Sequence, residues 1–129
     1  VALLMGGCMR DRLVDYYDNG QKKWERHWKG QELDGPVTWW YENGQKRQQI
    51  NYKEGKKDGL VGTWYKNGQK STEGKCKDGK LMSGVKSWKP NGEICPITNV
   101  KDGNGIAVWY REDGTEGDRL TYKDGELVR

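Results

Sequence analysis

The chain carries one histidine, His27, among 129 residues, which excludes a two-histidine metal centre or a histidine acid–base pair. With Glu25 and Trp28 as neighbours, His27 fits an outward strand position where its imidazole stays solvated. Cys8, Cys76 and Cys95 form no C-x-x-C pair of the kind that binds metal or cycles a disulfide. Acidic groups cluster at corners: Asp34, Asp58, Asp78, Asp102, Asp113 and Asp124 each precede a glycine. Aspartate there accepts local backbone hydrogen bonds and tolerates the turn. Calcium would require several oxygen ligands at alternate positions of one segment. The glycines follow turn periodicity and open no helix, so none cradles a phosphate. The residues name no catalytic group, cofactor or metal. What remains for chemistry is recognition by aromatic rings interleaved with Lys and Arg.

The elements that must position those rings are repeats. Asn-Gly recurs at Asn19-Gly20, Asn43-Gly44, Asn67-Gly68 and Asn91-Gly92, and returns as Asp113-Gly114, a period of roughly 24 residues that shortens only at the last step. A second series, Gly30, Gly55, Gly79, Gly103 and Gly125, runs beside it, mostly within Lys-Asp-Gly or Lys-Glu-Gly. Two turn signals per period divide each repeat into two short segments, which reads as one hairpin per repeat. No stretch keeps a 3.6-residue period between these interruptions, so no helix is expected. Five hairpins follow: Arg10 to Trp28, Gly35 to Tyr52, Gly59 to Cys76, Gly84 to Val100 and Gly105 to Tyr122, with Lys123 to Arg129 opening a sixth unit. The fold class is all-β, an elongated single-layer antiparallel meander over residues 10–129, preceded by a distinct N-terminal segment, residues 1–9.

Register decides which rings share a side. A type I turn with each corner glycine as a left-handed bulge pairs Trp40 with Lys46 and gathers Trp40, Gln48, Ile50 and Tyr52 on one core face. The same rule joins Tyr16 to Trp24 and Trp28, Trp64 to Cys76, Trp88 to Ile94, Pro96 and Val100, and Val108 and Tyr110 to Leu120 and Tyr122. It keeps Trp40, Trp64 and Trp88 on a common side of an unbroken ribbon. The opposite face carries Tyr17, Trp39, Tyr41, Tyr65 and Trp109 among Lys23, Glu25, His27, Arg47 and Glu73. These rings either pack under Lys and Arg stems or meet a partner. Tyr17, Trp39, Tyr41, Arg47, Tyr65 and Trp109 are the candidate interaction surface. Cys76 and Cys95 point to opposite faces with a strand between them, beyond the ~7 Å a disulfide tolerates, so both are expected as free thiols.

Only 33% of the chain is hydrophobic and Phe is absent, but seven Trp and seven Tyr supply burial, each ring removing on the order of 150 to 250 Å² from water. Basic residues outnumber acidic ones from Arg10 to Lys89 and the balance reverses from Asn91 to Arg129, within a net charge of +4. That asymmetry suits an anionic polymer or an unknown protein as partner, or simply the alternating charge that keeps sheet edges soluble. The excess is modest and acidic residues are interspersed, so nucleic acid is not an expected partner. Unpaired terminal strands would permit edge-to-edge self-association.

The unit G-x-x-x-W-Y-x-N-G-x-K, followed by an aromatic and K-D-G, resembles the bacterial variant of the MORN (membrane occupation and recognition nexus) repeat. The likeness is best in Gly35 to Gly59 and Gly59 to Gly79 and extends from Leu13 to about Leu127. It implies an elongated hairpin array of the kind seen in secreted, envelope-associated or antitoxin-like bacterial proteins without known chemistry. The fourth repeat departs from the pattern: Lys89-Pro90 replaces Tyr-Glu, and Pro96 interrupts its second strand, which is expected to kink or pair poorly there. Val1 to Cys8 separately resembles a lipoprotein lipobox, with Met5 where Leu is preferred; the resemblance makes Cys8 the lipid-bearing residue and a membrane tether. Otherwise the segment is a disordered terminus. The function expected is a noncatalytic scaffold for protein or polymer interaction. The alternatives are an envelope-tethered lipoprotein that binds cell-wall or extracellular polysaccharide, and an antitoxin-like, partner-masking protein; the expected location is the bacterial cell envelope or secreted, otherwise cytoplasmic.

Overall fold

The structure, a computed structural model, describes residues 10–128; the readings placed on residues 1–9, including Cys8, lie outside them. The described chain is all-β and antiparallel. Strands β1 (Arg10–Tyr16), β2 (Lys22–Lys29), β4 (Gly35–Trp40), β5 (Lys46–Lys53), β6 (Lys56–Trp64), β7 (Lys70–Lys77) and β8 (Lys80–Ser87) lie side by side in sequence order, with the two-residue β3 (Glu32–Leu33) paired to β2. A second sheet holds β9 (Asn99–Lys101), β10 (Asn104–Tyr110), β11 (Glu116–Lys123) and β12 (Glu126–Val128).

The two corner types fold differently for a stated backbone reason. At Glu54-Gly55, Asp78-Gly79, Asp102-Gly103 and Asp124-Gly125 both residues have positive φ, the conformation of a two-residue hairpin loop whose twist matches its strands. At the Asn-Gly corners only the glycine does, Gly44 at φ +89°, and the asparagine carboxamide oxygen accepts the N–H two residues on, Asn43 to Gln45 at 2.9 Å. This is the expected type I turn with a glycine bulge, and Trp40 pairs with Lys46 as expected.

The face assignment beyond that pair is corrected. Trp40 opposes Lys46 but Trp39 opposes Gln48, so Arg47 is an extra residue in β5. The same irregularity falls at Asp15/Tyr16, Thr63/Trp64 and between Val108 and Tyr110. A bulge adds one residue to one strand and reverses the side taken by everything after it. Trp39, not Trp40, therefore shares a side with Gln48 and Ile50, and Trp24 joins it across β2 and β4. Trp28 lies on that side too and Tyr16 on the other. Trp64 is separated from Cys76, while Leu120 opposes Ala107 and Tyr122 opposes Gly105 rather than sharing a side with Val108 and Tyr110. Trp40, Trp64 and Trp88 do keep a common side, since each follows a residue of the inner face and pairs with Lys46, Lys70 and Ile94 respectively.

Corner stacks on corner. The Tyr17, Tyr41 and Tyr65 hydroxyls donate to the carbonyls of Trp40, Trp64 and Trp88 in the next repeat, and the amides of Asn19, Asn43 and Asn67 donate to the carbonyls of Glu42, Lys66 and Pro90. At the opposite rim the Gly55 and Gly79 amides reach the Leu33 and Lys57 carbonyls, both at 2.9 Å.

The ribbon is continuous only to Ser87. In the fourth repeat a single bridge, Trp88 to Ile94, is followed by irregular chain through Pro96 and Ile97 until β9, because proline offers no N–H to a ladder. The chain then turns, and the second sheet comes back over the first: Thr98 Oγ1 accepts the Val108 N–H at 2.9 Å and meets Ser87 Oγ at 2.6 Å. Tyr65, Cys95, Val108 and Tyr110 form the buried cluster at this joint. Gly105 has φ +141°, and a Cβ there would lie 1.8 Å from the Asn99 carbonyl oxygen.

Two stability outcomes follow. Tyr41→Phe removes a hydroxyl that donates at 2.6 Å and leaves a carbonyl without its partner, so urea unfolding should show a loss of about 1 to 2 kcal/mol, while Tyr16→Phe, at an exposed ring, should change little. Gly105→Ala forces a side chain into backbone and should cost on the order of 3 kcal/mol or more, with the β9–β10 amides losing hydrogen-exchange protection first.

Candidate interaction surface

The bulges leave the protein with an inner and an outer face of different chemistry. On the outer face a three-part motif repeats: Lys22 stands 5.4 Å over the Trp40 ring, and Lys46 and Lys70 stand 5.5 and 5.4 Å over Trp64. Each lysine also meets the residue three on: Lys22 to Glu25 at 2.8 Å, Lys46 to Gln49 at 3.5 Å, Lys70 to Glu73 at 2.9 Å. The Lys22 hydrogen bond, opposed by burial and helped by the Lys22 and Arg12 charges, holds the Glu25 carboxyl below the usual range. His27 belongs to this network rather than to solvent, with Nδ1 2.8 Å from the Pro36 carbonyl oxygen and Nε2 3.4 Å from Glu25.

The inner face is aromatic at its open end and aliphatic where the second sheet covers it. Trp24 and Trp39 lie 6.3 Å apart, tilted by 52°, with the Arg26 guanidinium 4.3 Å over Trp24 and 5.7 Å over Trp39. Such a guanidinium is held by the rings and still offers its donor fork outward. Further along, Ile50, Val61, Leu81 and Val85 of the first sheet face Ala107, Leu120 and Tyr122 of the second across a cavity of about 750 Å³. Cys76 opens onto it, and burial pushes its thiol up. Gly74 keeps this wall flat, since a Cβ there would come within 2.9 Å of Leu81.

The residues singled out by the sequence fall into two groups. Trp39 and Trp109 belong to the inner face. Trp109 is 37% exposed, its ring lies on Gly117, and it lines the mouth of the cavity beside Gln48 and Thr63. Arg47, the bulge residue, stands 5.8 Å over the Tyr41 ring, and the two line a second pocket that shares Gln48, Thr63 and Trp109 with the cavity. Tyr17, Tyr41 and Tyr65 form no exposed row: each spends its hydroxyl on the next repeat, and Tyr65 is only 4% exposed. Burial, with Glu112 nearby, raises the Tyr41 phenol, and burial raises that of Tyr65 despite a hydrogen bond with Ser71. Glu112 comes from the fifth corner, where it accepts the Lys66 N–H at 3.3 Å. Trp24 keeps the core side expected of it, with Arg26 two residues on; what the regular-strand register missed are the bulges that bring Trp39 to them. Their signal was present: complementary partners at i and i+3, Lys22/Glu25, Lys70/Glu73 and Glu116/Arg119, lie on opposite sides of a regular strand and meet only across a bulge.

Cys76 and Cys95 are both free and buried. Burial pushes the Cys95 thiol up, but hydrogen bonds with Tyr110, Thr98 and the Ile97 and Thr98 backbone outweigh it and bring the thiol to about 7, while the bond to Cys95 together with burial pushes Tyr110 up to about 12. The pair is walled off, with Cys95 4% exposed, which suits packing rather than nucleophilic attack. Among the described residues no three His, Cys, Asp or Glu side chains converge as metal ligands do.

The hairpin around the Asn43-Gly44 corner decides the comparison with known proteins. Residues 33–54 match the MORN repeat variant family. The match supports a MORN-repeat array, in which the Asn19-Gly20 and Asn67-Gly68 corners repeat the hydrogen bonds of the matched unit. No curated protein matches the chain.

Glu25 supplies a pH test of the outer face. A carboxyl whose folded value lies below its unfolded 4.5 contributes stability that is fully present above 4.5 and lost as pH falls through the folded value. Between pH 5 and 3 the melting temperature should therefore fall more steeply in the native protein than in Glu25→Gln.

Proposed function

We propose that the chain is a noncatalytic repeat scaffold that takes its partner on the inner face, at the open aromatic end. The observation that supports this most is the Trp24–Arg26–Trp39 group, joined through Gln48, the partner of Trp39, to the pocket lined by Arg47 and Trp109. Large rings with few rotatable bonds and a stacked guanidinium are the side chains that carry most energy in protein interfaces. Repeat arrays add affinity by presenting such groups along one continuous surface. The partner this chemistry fits best is a protein segment with a carboxylate for Arg26 or Arg47 and an apolar side chain for the indoles. An anionic polysaccharide, in an envelope-tethered setting, would use the same groups by ring stacking; an antitoxin-like role would mean that the bound segment is the working part of a toxin.

The test is an unbiased pull-down with the full folded chain, run beside Trp39→Ala/Arg26→Ala on the inner face and Lys46→Ala on the outer face. The expected result is a retained protein that drops at least tenfold with the double substitution and is unchanged with Lys46→Ala. Retention indifferent to the double substitution would sink the reading. Salt-sensitive retention on an anionic polysaccharide, lost with the same double substitution, would move the proposal from protein to polymer.

A further inference from the structure

Three corners of this chain share one sequence: Tyr17-Asp18-Asn19-Gly20-Gln21-Lys22, Tyr41-Glu42-Asn43-Gly44-Gln45-Lys46 and Tyr65-Lys66-Asn67-Gly68-Gln69-Lys70. Each passes the same contacts forward. The tyrosine donates to the carbonyl of Trp40, Trp64 or Trp88 and the asparagine to that of Glu42, Lys66 or Pro90. The glutamine closes over the next corner's glycine, where a Cβ on Gly44, Gly68 or Gly92 would meet Gln21, Gln45 or Gln69 at 3.2, 3.1 or 3.8 Å. The lysine of the first two corners covers the next ring, Lys22 on Trp40 and Lys46 on Trp64, while Lys70 stays on Trp64 of its own repeat.

The contacts are directional, with donors in one repeat and acceptors in the following one. Among the described residues the first repeat therefore presents the acceptor half of the set at the edge of the sheet, along β1. The positions that match Trp40, Glu42 and Gly44 are Tyr16, Asp18 and Gly20. A Cβ on Gly20 would meet nothing of the described residues within 4 Å, and the Tyr16 ring is 56% exposed. The N–H that Trp88 gives to the Ser71 carbonyl of the repeat before it, at 2.8 Å, is at Tyr16 turned instead to the neighbouring Asp15 carboxylate at 2.9 Å. The Asp15 side chain takes this N–H where, in the fourth repeat, a carbonyl of the repeat before takes it.

We propose that β1, the edge strand among the described residues, docks a β-hairpin of another polypeptide whose corner reads Tyr-x-Asn-Gly-Gln-Lys. A second copy of this chain does not supply it. All three such corners are already engaged, and the fourth and fifth, Lys89-Pro90-Asn91-Gly92-Glu93 and Arg111-Glu112-Asp113-Gly114-Thr115, lack the tyrosine and glutamine. The incoming hairpin adds its second strand to β1 by strand addition, at Val14 and Asp15, the positions that match Gly62 and Thr63, which pair with Gln49 and Gln48 of the preceding repeat. The corner supplies specificity and the strand supplies backbone bonds.

The test titrates the full chain with a head-to-tail cyclised peptide of residues 34–57 and follows amide hydrogen exchange. Saturable binding that slows exchange at Val14 and Asp15 at least fivefold is expected. The same peptide with Tyr41→Phe and Asn43→Asp should bind at least tenfold more weakly, since aspartate keeps the oxygen that accepts the Gln45 N–H within the corner and removes only the outgoing donor. In parallel the same segment is fused ahead of Arg10 in place of residues 1–9, so that hairpin folding in isolation does not limit the result. A fused copy that protects β1 no better than its doubly substituted version overturns the proposal. Protection by the fused copy without binding of the peptide overturns docking of a separate polypeptide. Protection centred on β8, β9 or β12 overturns the location.

Discussion

The hydrogen bond from each corner tyrosine to the next repeat's indole-position carbonyl is the constraint on which the first sheet depends. A sheet this thin buries few side chains completely, Val108 and Ser87 among them, so hydrophobic burial alone does not fix the position of one hairpin against the next. Strand pairing is short at the first junction, Trp24 to Trp39 and Glu25 to Thr38, and at the next two it is broken by irregularities at Ile50/Tyr52 and between Glu73 and Cys76. The Tyr and Asn side chains lock the corner rim, and the glycine amides of the opposite rim lock the other. Repeats held in this way form a nearly one-dimensional array in which each unit is stabilised mainly by its neighbours.

That rule ends where its residues end. Lys89 occupies the tyrosine position in the fourth repeat, Pro96 removes an N–H from its second strand, and the sheet stops at Ser87. The chain uses the interruption to turn the last four strands over the inner face, with Thr98, Ser87 and the Tyr65–Cys95–Val108–Tyr110 cluster as the joint. The consequence for recognition is a surface with two halves: an open aromatic end at Trp24 and Trp39, and a covered aliphatic end with Trp109 at its mouth.

The all-β class, the hairpin period, the turn type at each Asn-Gly corner and the weak fourth repeat were legible, because glycine and proline act locally through φ and a missing N–H. The side taken by each ring was not. Period-2 alternation propagates one parity along a strand, and the extra residue at Arg47 reverses it, which moved Trp39 to the inner face and Trp40 to the outer. Only the Lys22/Glu25, Lys70/Glu73 and Glu116/Arg119 spacing recorded the bulge, and it becomes readable when set against strand geometry. The folding back of β9 to β12 had no local signal, since it rests on contacts such as Thr98 with Val108 and Glu112 with Lys66 between different repeats.

The most direct measurement is a nuclear Overhauser spectrum of the folded chain with the Trp indoles assigned. The expected cross-peaks join Trp24 to Trp39, Lys22 to Trp40 and Lys46 to Trp64, with none between Trp40 and Ile50. Cross-peaks that join Trp40 to Ile50, with Trp39 in contact with the outer lysines instead, would contradict this arrangement.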